Sequence, residues 1–141
     1  MKILSVLLLC IAAVFVESQE FSKEKLTALG NECKTETGAT EDDMKLLFNH
    51  GPAETTAAKC LKDCVMKKLN LLTDDGKLNK ETAIAIKNII ANGDAAQEKA
   101  GDEVIEICYK LEPQKDKCET AEALDQCFRN NSEAKGFTFV N

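Results

Sequence analysis

The sequence predicts an all-α fold, a compact bundle of about six helices. Apolar residues recur at the three- and four-residue spacing of amphipathic helices along almost the whole chain. Glycine and proline supply only seven and two of 141 residues, which argues against disorder and against a turn-rich β protein. No alternating apolar and polar run is long enough to propose a sheet.

Residues 1–18 are predicted to be a secretory signal peptide. Two residues, Met1 and Lys2, precede an apolar run from Ile3 to Val16 that is too short to span a bilayer. Val16 and Ser18 are small enough for the positions that signal peptidase recognises, so we expect cleavage after residue 18. Residues 19–141 then form one helical domain.

The first three helices are predicted from caps and apolar stripes. Ser22 caps the first helix, and Gly38 ends it. Thr40 caps a short second helix, which stops at Gly51-Pro52. The expected inward faces of the three helices are Leu26, Leu29 and Cys33; Met44, Leu47 and Phe48; and Ala58, Leu61, Val65 and Leu69.

The last three helices follow a turn at residues 74–76. Asn79 caps the fourth helix, and Asn92-Gly93 closes it. Asp94 with Gln97, and Asp116 with Glu119, have the spacing of capping boxes that begin the fifth and sixth helices. The expected inward faces are Ala83, Ile86 and Ile90; Ala100, Val104, Ile107 or Cys108, and Leu111; and Ala121, Leu124 and Phe128.

The C-terminal residues 136–141 depart from the helical pattern. They place Phe137, Phe139 and Val140 on a tail that is too short for another helix, whereas a solvated terminus is usually polar. We therefore expect the tail to fold back on the body. It either covers the mouth of a cavity or packs on the surface of the core.

Six cysteines remain once the signal peptide and its Cys10 are removed. An even number of cysteines in a secreted protein normally pairs fully. Six cysteines permit fifteen pairings, and their spacing does not choose among them. The six are Cys33, Cys60, Cys64, Cys108, Cys118 and Cys127, with 26, 3, 43, 9 and 8 residues between successive members.

This order of intervals resembles the insect odorant-binding proteins, the six-cysteine family of general odorant- and pheromone-binding proteins. The signal peptide, the mature length and the helical pattern agree with the resemblance, which covers essentially all of residues 19–141. The resemblance implies three disulfides, Cys33 with Cys64, Cys60 with Cys118, and Cys108 with Cys127. It also implies an internal apolar cavity.

A fold held by three crosslinks need not fill its centre with side chains to remain stable. Such a cavity binds hydrophobic molecules. Met66 suits it because a flexible thioether adapts to varied ligand shapes, and residues 66–71 and Phe128 match the family's pocket walls. The candidate ligand-binding residues are Leu29, Met66, Leu69, Leu71, Leu72, Leu78, Ile86, Ile90, Val104, Leu111, Ala121, Leu124, Phe128, Phe137 and Phe139.

For each of these residues, packing in the core is the competing interpretation. Tyr109 and Thr138 could offer a hydroxyl to a ligand, or could simply lie on the surface. The tail resembles that of family members whose C-terminus covers the pocket. The absence of Trp and the single Tyr favour aliphatic chains or small terpenoids over stacked aromatic ligands.

Composition excludes several other classes of function. A net charge of −6 is a poor match for nucleic acid or for anionic membranes, and no second apolar stretch predicts membrane insertion. We expect no catalytic residues, since His50 reads best as a helix C-cap or surface group and no nucleophile motif accompanies it. No metal site or cofactor is predicted, and Asn130-Asn131-Ser132 matches a glycosylation sequon by pattern alone.

The sequence therefore predicts a secreted, non-enzymatic carrier of odorants or pheromones in the lymph of chemosensory hairs. A carrier of lipophilic molecules in haemolymph or gland secretion is one alternative. A ligand-free interaction protein that works through its acidic surface is another, and homodimer formation stays open. Family members can release ligand on acidification, so we hypothesise weaker binding at about pH 5 than at about pH 7, with carboxylates and His50 as titrating groups.

Overall fold

The computed structural model describes residues 21–139, so the predicted signal peptide lies outside the described residues. The predicted all-α fold is confirmed. Apart from one isolated bridge between Leu72 and Leu78, residues 21–139 form no β-structure, and none of their helices is long and apolar enough to cross a membrane. The six helices are α1 (Lys23–Thr37), α2 (Glu41–Phe48), α3 (Thr56–Lys68), α4 (Lys80–Ala91), α5 (Ala95–Tyr109) and α6 (Lys117–Lys135).

The predicted N-caps are confirmed, but the capping boxes are not where we expected them. Asp94 and Asp116 each accept backbone N–H groups at the start of α5 and α6, yet Gln97 and Glu119 do not return the bond. The reciprocal box occurs at α2. There the Thr40 hydroxyl accepts from the Asp43 N–H at 3.1 Å, and the Asp43 carboxylate accepts from the Thr40 N–H at 2.8 Å.

Left-handed residues satisfy the last carbonyls of five described helices. Gly38 (φ 72°) and Asn92 (φ 47°) end α1 and α4 with one N–H each, and the three other ends use two N–H groups. His50 (φ 53°), Asn70 (φ 59°) and Gly136 (φ 74°) follow α2, α3 and α6. At each of these three ends the left-handed residue and its successor donate their N–H groups back to carbonyls of the last turn. The C-cap of α2 is Asn49, so His50, which we predicted as a helix C-cap, lies one position beyond the cap.

The three disulfides have the pairing that the family resemblance implies. Cys33–Cys64 joins α1 to α3, Cys60–Cys118 joins α3 to α6, and Cys108–Cys127 joins α5 to α6. Their Cα–Cα distances are 5.6, 4.5 and 5.8 Å. Cys60 and Cys64 lie one turn apart on α3 and bond to different helices, so α3 is covalently linked to both α1 and α6.

Helix packing follows the crosslinks. The central helix α3 packs against α1, α2 and α6, while α5 packs against both α4 and α6. Of the two inward candidates on α5, Cys108 is buried and Ile107 is exposed. The expectation that Phe48 faces inward is wrong, because its side chain remains exposed at the end of α2.

Two apolar clusters result from this packing. The main cluster surrounds α5 and α6, and its buried members are Leu72, Leu78, Ala83, Ala100, Val104, Ile105, Cys108, Ala121, Leu124 and Phe137. The minor cluster lies between α1, α2 and α3, and its buried members are Cys33, Ala39, Met44, Leu61 and Val65.

Candidate ligand-binding site

Most of the predicted ligand-binding residues meet at the main cluster. Six of them are fully packed within it, namely Leu72, Leu78, Val104, Ala121, Leu124 and Phe137. A second group packs against the cluster but stays only partly buried, namely Met66, Leu71, Ile90, Leu111, Phe128 and Phe139. The first group supplies filled core, and the second group keeps apolar surface that neighbouring side chains do not cover.

Three predicted residues lie elsewhere. Leu69 packs against the minor cluster, so the structure separates it from the other candidates. Leu29 and Ile86 are partly buried and belong to neither cluster. The helical spacing of apolar residues does not show which cluster a residue joins, because one helix can face two clusters at different points along its length.

The tail returns to the body, as predicted, over residues 136–139. Phe137 is buried in the main cluster and meets Phe139 edge to face, with ring centroids 5.4 Å apart. Phe139 stacks on His50, with centroids 4.7 Å apart and an angle of 26° between the rings. The tail therefore bridges the end of α6 and the turn that follows α2.

Gln97 holds the tail backbone from the first turn of α5. Its Nε2 donates to the Gly136 carbonyl and its Oε1 accepts from the Thr138 N–H, both at 2.8 Å. The side chain that we predicted to complete a capping box with Asp94 thus binds the tail instead. A distant backbone partner at the other end of the chain is not visible in local spacing.

A cleft of about 460 Å³ opens between the tail, the last turns of α6 and His50; we call it the tail cleft. Phe137 and Phe139 belong to both the tail cleft and the apolar packing of the main cluster. The cleft therefore joins the edge of the apolar cluster to solvent. Its lining residues are His50, Arg129, Ser132, Glu133, Gly136, Phe137, Thr138 and Phe139.

A larger surface groove of about 640 Å³ runs along α5 to the end of α6. Its walls are mostly charged, which suits a solvated surface better than a hydrophobic ligand. The groove is lined by Ala95, Glu98, Lys99, Asp102, Glu103, Glu106, Ile107 and Lys135.

A buried ionic group lies beside the tail cleft; we call it the charge cluster. Lys62 Nζ donates to Glu122 and Asp125, each at 2.7 Å, and to the Gly51 carbonyl at 2.8 Å. Arg129 donates to the same two carboxylates at 2.7 and 2.9 Å. Two cations therefore face two carboxylates, and the cluster fixes α3, α6 and the turn after α2 together.

The pKa of His50 is lowered from its usual value near 6.5. Partial burial is the main cause, because it disfavours the charged imidazolium even though part of the ring remains exposed. Asp125 opposes the shift, while Lys62 and Arg129 add to it. The partial burial of His50 therefore favours the neutral form of its ring.

The remaining polar candidates lie at the surface. Tyr109 is exposed, and the Lys80 ammonium lies 5.2 Å from the centre of its ring. The Thr138 side chain is exposed at the rim of the tail cleft.

The predicted sequon falls inside α6 with Ser132 buried, whereas glycosylated sequons occupy surface loops. Within residues 21–139, no group of three or more candidate side chains could hold a metal ion.

Sequence analysis missed the charge cluster. It also missed Ser132, which lines the tail cleft, and Gly101 on α5, beside which Lys87 and Phe137 pack. The spacing of Glu122, Asp125 and Arg129 places the three on one face of α6, which is the signal that could have revealed an ionic face. Nothing local marks Lys62, which interrupts the apolar face of α3.

Comparison with known proteins assigns the chain to a family. The model of the PBP/GOBP family matches residues 16–131. General odorant-binding protein 19d of Drosophila melanogaster is 38% identical over 130 residues, which cover 92% of this chain and 87% of the relative.

Solved structures agree with this match. Odorant-binding protein 28a of Drosophila melanogaster has a TM-score of 0.74 at 34% identity, covering 82% of this chain and 95% of that one. A pheromone-binding protein of the cockroach Leucophaea maderae, solved with the fluorescent reporter ANS, has a TM-score of 0.60 at 25% identity, covering 77% and 92%. The chain therefore belongs to the PBP/GOBP family of insect odorant- and pheromone-binding proteins.

Proposed function

We propose that this protein is a secreted carrier that binds small hydrophobic molecules between its crosslinked helices. The observation that carries the proposal is the set of partly buried apolar side chains that converge on the main cluster. Helices, loops and the tail each contribute to this set, whose members are Met66, Leu71, Ile90, Leu111, Phe128 and Phe139. Partly buried apolar surface facing one place is what a hydrophobic ligand can cover.

The family supports a carrier rather than an enzyme. Its members here are odorant-binding proteins, and the cockroach relative is solved with the fluorescent reporter ANS, an aromatic sulfonate. We further propose that residues 1–18 are removed on secretion and that the fluid is the lymph of chemosensory hairs. Tissue of expression distinguishes this setting from haemolymph or a gland secretion.

Titration of the oxidised protein with N-phenyl-1-naphthylamine tests the proposal. We expect saturable binding to each chain, together with displacement by lipophilic competitors. Native mass spectrometry should detect the complex. An oxidised, helical protein that binds neither the probe nor any lipophile would contradict the carrier function and favour the ligand-free interaction protein.

Two adjacent isoleucines on α4 provide a matched pair of variants. Ile90 packs partly buried against the main cluster, whereas Ile89 is exposed. Ile90→Ala should weaken probe binding up to about tenfold, because it removes apolar contact area. Ile89→Ala should leave the affinity unchanged. Equal effects of the two substitutions would place the binding surface elsewhere.

A further inference from the structure

The outer side of α4 is apolar and exposed. Ile84 is 37% exposed and Ile89 is 50% exposed, and they are two of the five large apolar side chains that stay exposed among residues 21–139. Ala85 and Asn88 lie between them and are exposed too. Because helical residues three and four apart are neighbours, these four side chains form one outward surface, which we call the α4 face.

The α4 face has no neighbouring helix in the described part of the chain. Helix α4 packs closely against α5 alone, and its buried residues Ala83, Lys87 and Ala91 lie on the inner side. A helix that is apolar on its outer side as well as its inner side is normally covered on both sides. Exposed apolar surface favours association in water, so the face is a candidate contact surface.

The charges of the bundle restrict what can cover this face. Among the exposed residues of Lys80–Ala91, Glu81 alone is charged, whereas α1, α2, α5 and α6 each expose at least three charged residues. Lys80 beside the face is paired with Glu106 of α5. A net charge of −6 makes two copies repel each other through most of their surfaces. Two α4 faces, by contrast, can meet without burying an unpaired charge.

The order of side chains along the α4 face suits a two-fold contact between antiparallel helices. An axis through the middle of the face places Ile84 of each copy opposite Ile89 of the other. The small Ala85 side chain lets the two helices approach closely. The two Asn88 amides lie near the axis, where each can donate to the other. The helix dipoles then run in opposite directions, which is the favourable arrangement.

We propose that two copies of this protein form a symmetric dimer through the α4 face, with their α4 helices antiparallel. The contact is short, because the 12 residues of α4 extend over about 18 Å. It is therefore smaller than the roughly 800 Å² per partner of a standard interface, and the dimer should be reversible, with a dissociation constant of about 0.01–1 mM. The proposal does not depend on the carrier function, because Ile84 and Ile89 belong to neither apolar cluster.

Sedimentation equilibrium of the oxidised protein, at concentrations from about 10 µM to about 1 mM, tests the proposal. The wild-type protein should show a reversible equilibrium of monomer and dimer. Ile84→Lys and Ile89→Glu should each weaken dimerisation at least about tenfold, because each substitution places two charges within the apolar contact. Both side chains are exposed, so the two variants should keep the helical circular dichroism and the thermal midpoint of the wild type.

An equimolar mixture of the two variants tests the antiparallel arrangement. In a mixed dimer the new lysine lies opposite the new glutamate, whereas each variant alone places its new charge opposite an isoleucine. The mixture should therefore dimerise at least about threefold more tightly than either variant alone. Ile107→Lys is the matched control, because it changes an exposed isoleucine that lies on α5 in the surface groove, and it should leave dimerisation unchanged.

A wild-type protein that stays monomeric up to about 1 mM would overturn the proposal. A dimer that survives both single substitutions would place the interface elsewhere and overturn it too. If the mixture dimerises no better than its components, the antiparallel contact is wrong. A monomer that binds phosphatidylcholine vesicles through Ile84 and Ile89 would assign the face to a lipid surface instead, which also contradicts the proposal.

Probe binding separates this proposal from the carrier function. At about 1 µM protein, below the range of dimerisation, Ile84→Lys and Ile89→Glu should bind N-phenyl-1-naphthylamine with the wild-type affinity. A monomeric protein that binds the probe would leave the carrier function intact and refute the dimer. A dimer that binds no lipophile would do the reverse.

Discussion

At the scale of single residues, Gly101 determines whether the tail can lie against the bundle. A Cβ at this position would overlap Lys87 Cγ, and it would lie 3.0 Å from both Lys87 Cδ and Phe137 Cε2. Lys87 cannot easily yield, because it is buried and its ammonium pairs with Asp102 at 2.8 Å. Gly101 therefore leaves the space that the Lys87 stem and the Phe137 ring occupy.

We predict that Gly101→Ala lowers the free energy of unfolding by about 1–3 kcal/mol, the usual cost of overpacking. Gly30→Ala is the matched comparison in α1. Its Cβ would meet chiefly the mobile Cε end of Met44, at 2.7 Å, so its cost should be within about 1 kcal/mol after the gain in helix propensity. Urea unfolding of both oxidised variants measures the difference, and equal costs would contradict this view of Gly101.

His50 predicts a pH dependence whose sign follows from its lowered pKa. The folded protein favours the neutral ring, so below about pH 6.5 the unfolded or undocked state takes up the proton first. Tail docking should be fully stable above that pH and weaken as the pH falls towards and below the lowered pKa. Probe affinity should therefore be lower at about pH 5 than at about pH 7.

His50→Asn tests the origin of this effect. Asparagine tolerates the left-handed backbone of His50 (φ 53°) but neither stacks on Phe139 nor titrates in this range. The variant should lose most of the pH dependence. If it keeps the wild-type dependence, groups other than His50 are responsible.

Single residues also mark the limit of prediction from sequence. The caps were predictable because each depends on a bond to an N–H two or three residues away, as at Ser22 and Asn79. Gln97 and Gly101 were not, because their roles depend on Phe137 and Thr138 at the far end of the chain. Ser132 matched a sequon, and its burial inside α6, which argues against that interpretation, is not visible in the sequence.

At the scale of elements, the contact of α3 with α6 depends on the charge cluster. Lys62 is almost fully buried, so its substitution leaves two carboxylates facing Arg129 alone. Lys62→Met should lower the free energy of unfolding by roughly 3–5 kcal/mol, as expected when one partner of a buried ion pair is removed.

Lys59→Met is the matched control for that substitution. Lys59 lies on the same helix and also pairs across to α6, with Glu119 at 2.9 Å, but its ammonium is solvated. Screening by water should make its loss nearly silent in denaturant unfolding. A similar cost for the two lysines would contradict a special role for the buried cluster.

The tail is the second element whose role can be tested. Deletion of residues 136–141 removes Phe137 from the main cluster and Phe139 from His50, with an apolar loss of about 1.5–3 kcal/mol for the buried ring. We predict that probe affinity falls by about tenfold or more and that the thermal midpoint falls. Deletion of residues 140–141 alone is the control. Equal changes in probe affinity and thermal midpoint for the two deletions would contradict a role for Phe137 and Phe139.

Elements were predicted well because their signals are local. Five of the six described helices begin directly after their predicted caps, and the turn at residues 74–76 separates α3 from α4 as expected. No cap was predicted for α3, which begins after Thr55. The buried face of each helix was predicted less accurately. Phe48 at the end of α2 and Ile107 on α5 have helical spacing that suits burial, yet the side chains of both remain exposed.

At the scale of the whole molecule, three disulfides link four helices, α1, α3, α5 and α6. The sequence predicted that six cysteines would pair, but which cysteines bond to each other came from the family resemblance. The structure contains the three disulfides that the resemblance implies. The division of the apolar residues into filled core and ligand-accessible surface could not be predicted. Leu124 and Phe128 have the same helical spacing, yet one is buried and the other is partly exposed.

A crystal structure of the oxidised protein with a brominated long-chain alcohol tests the central claim most directly. The account predicts anomalous density for bromine beside the partly buried apolar side chains, with the hydrocarbon chain in contact with Met66, Leu111 and Phe128. Side chains that fill the centre completely, with bromine absent or bound only on the outer surface, would contradict the claim that these crosslinked helices surround a hydrophobic ligand.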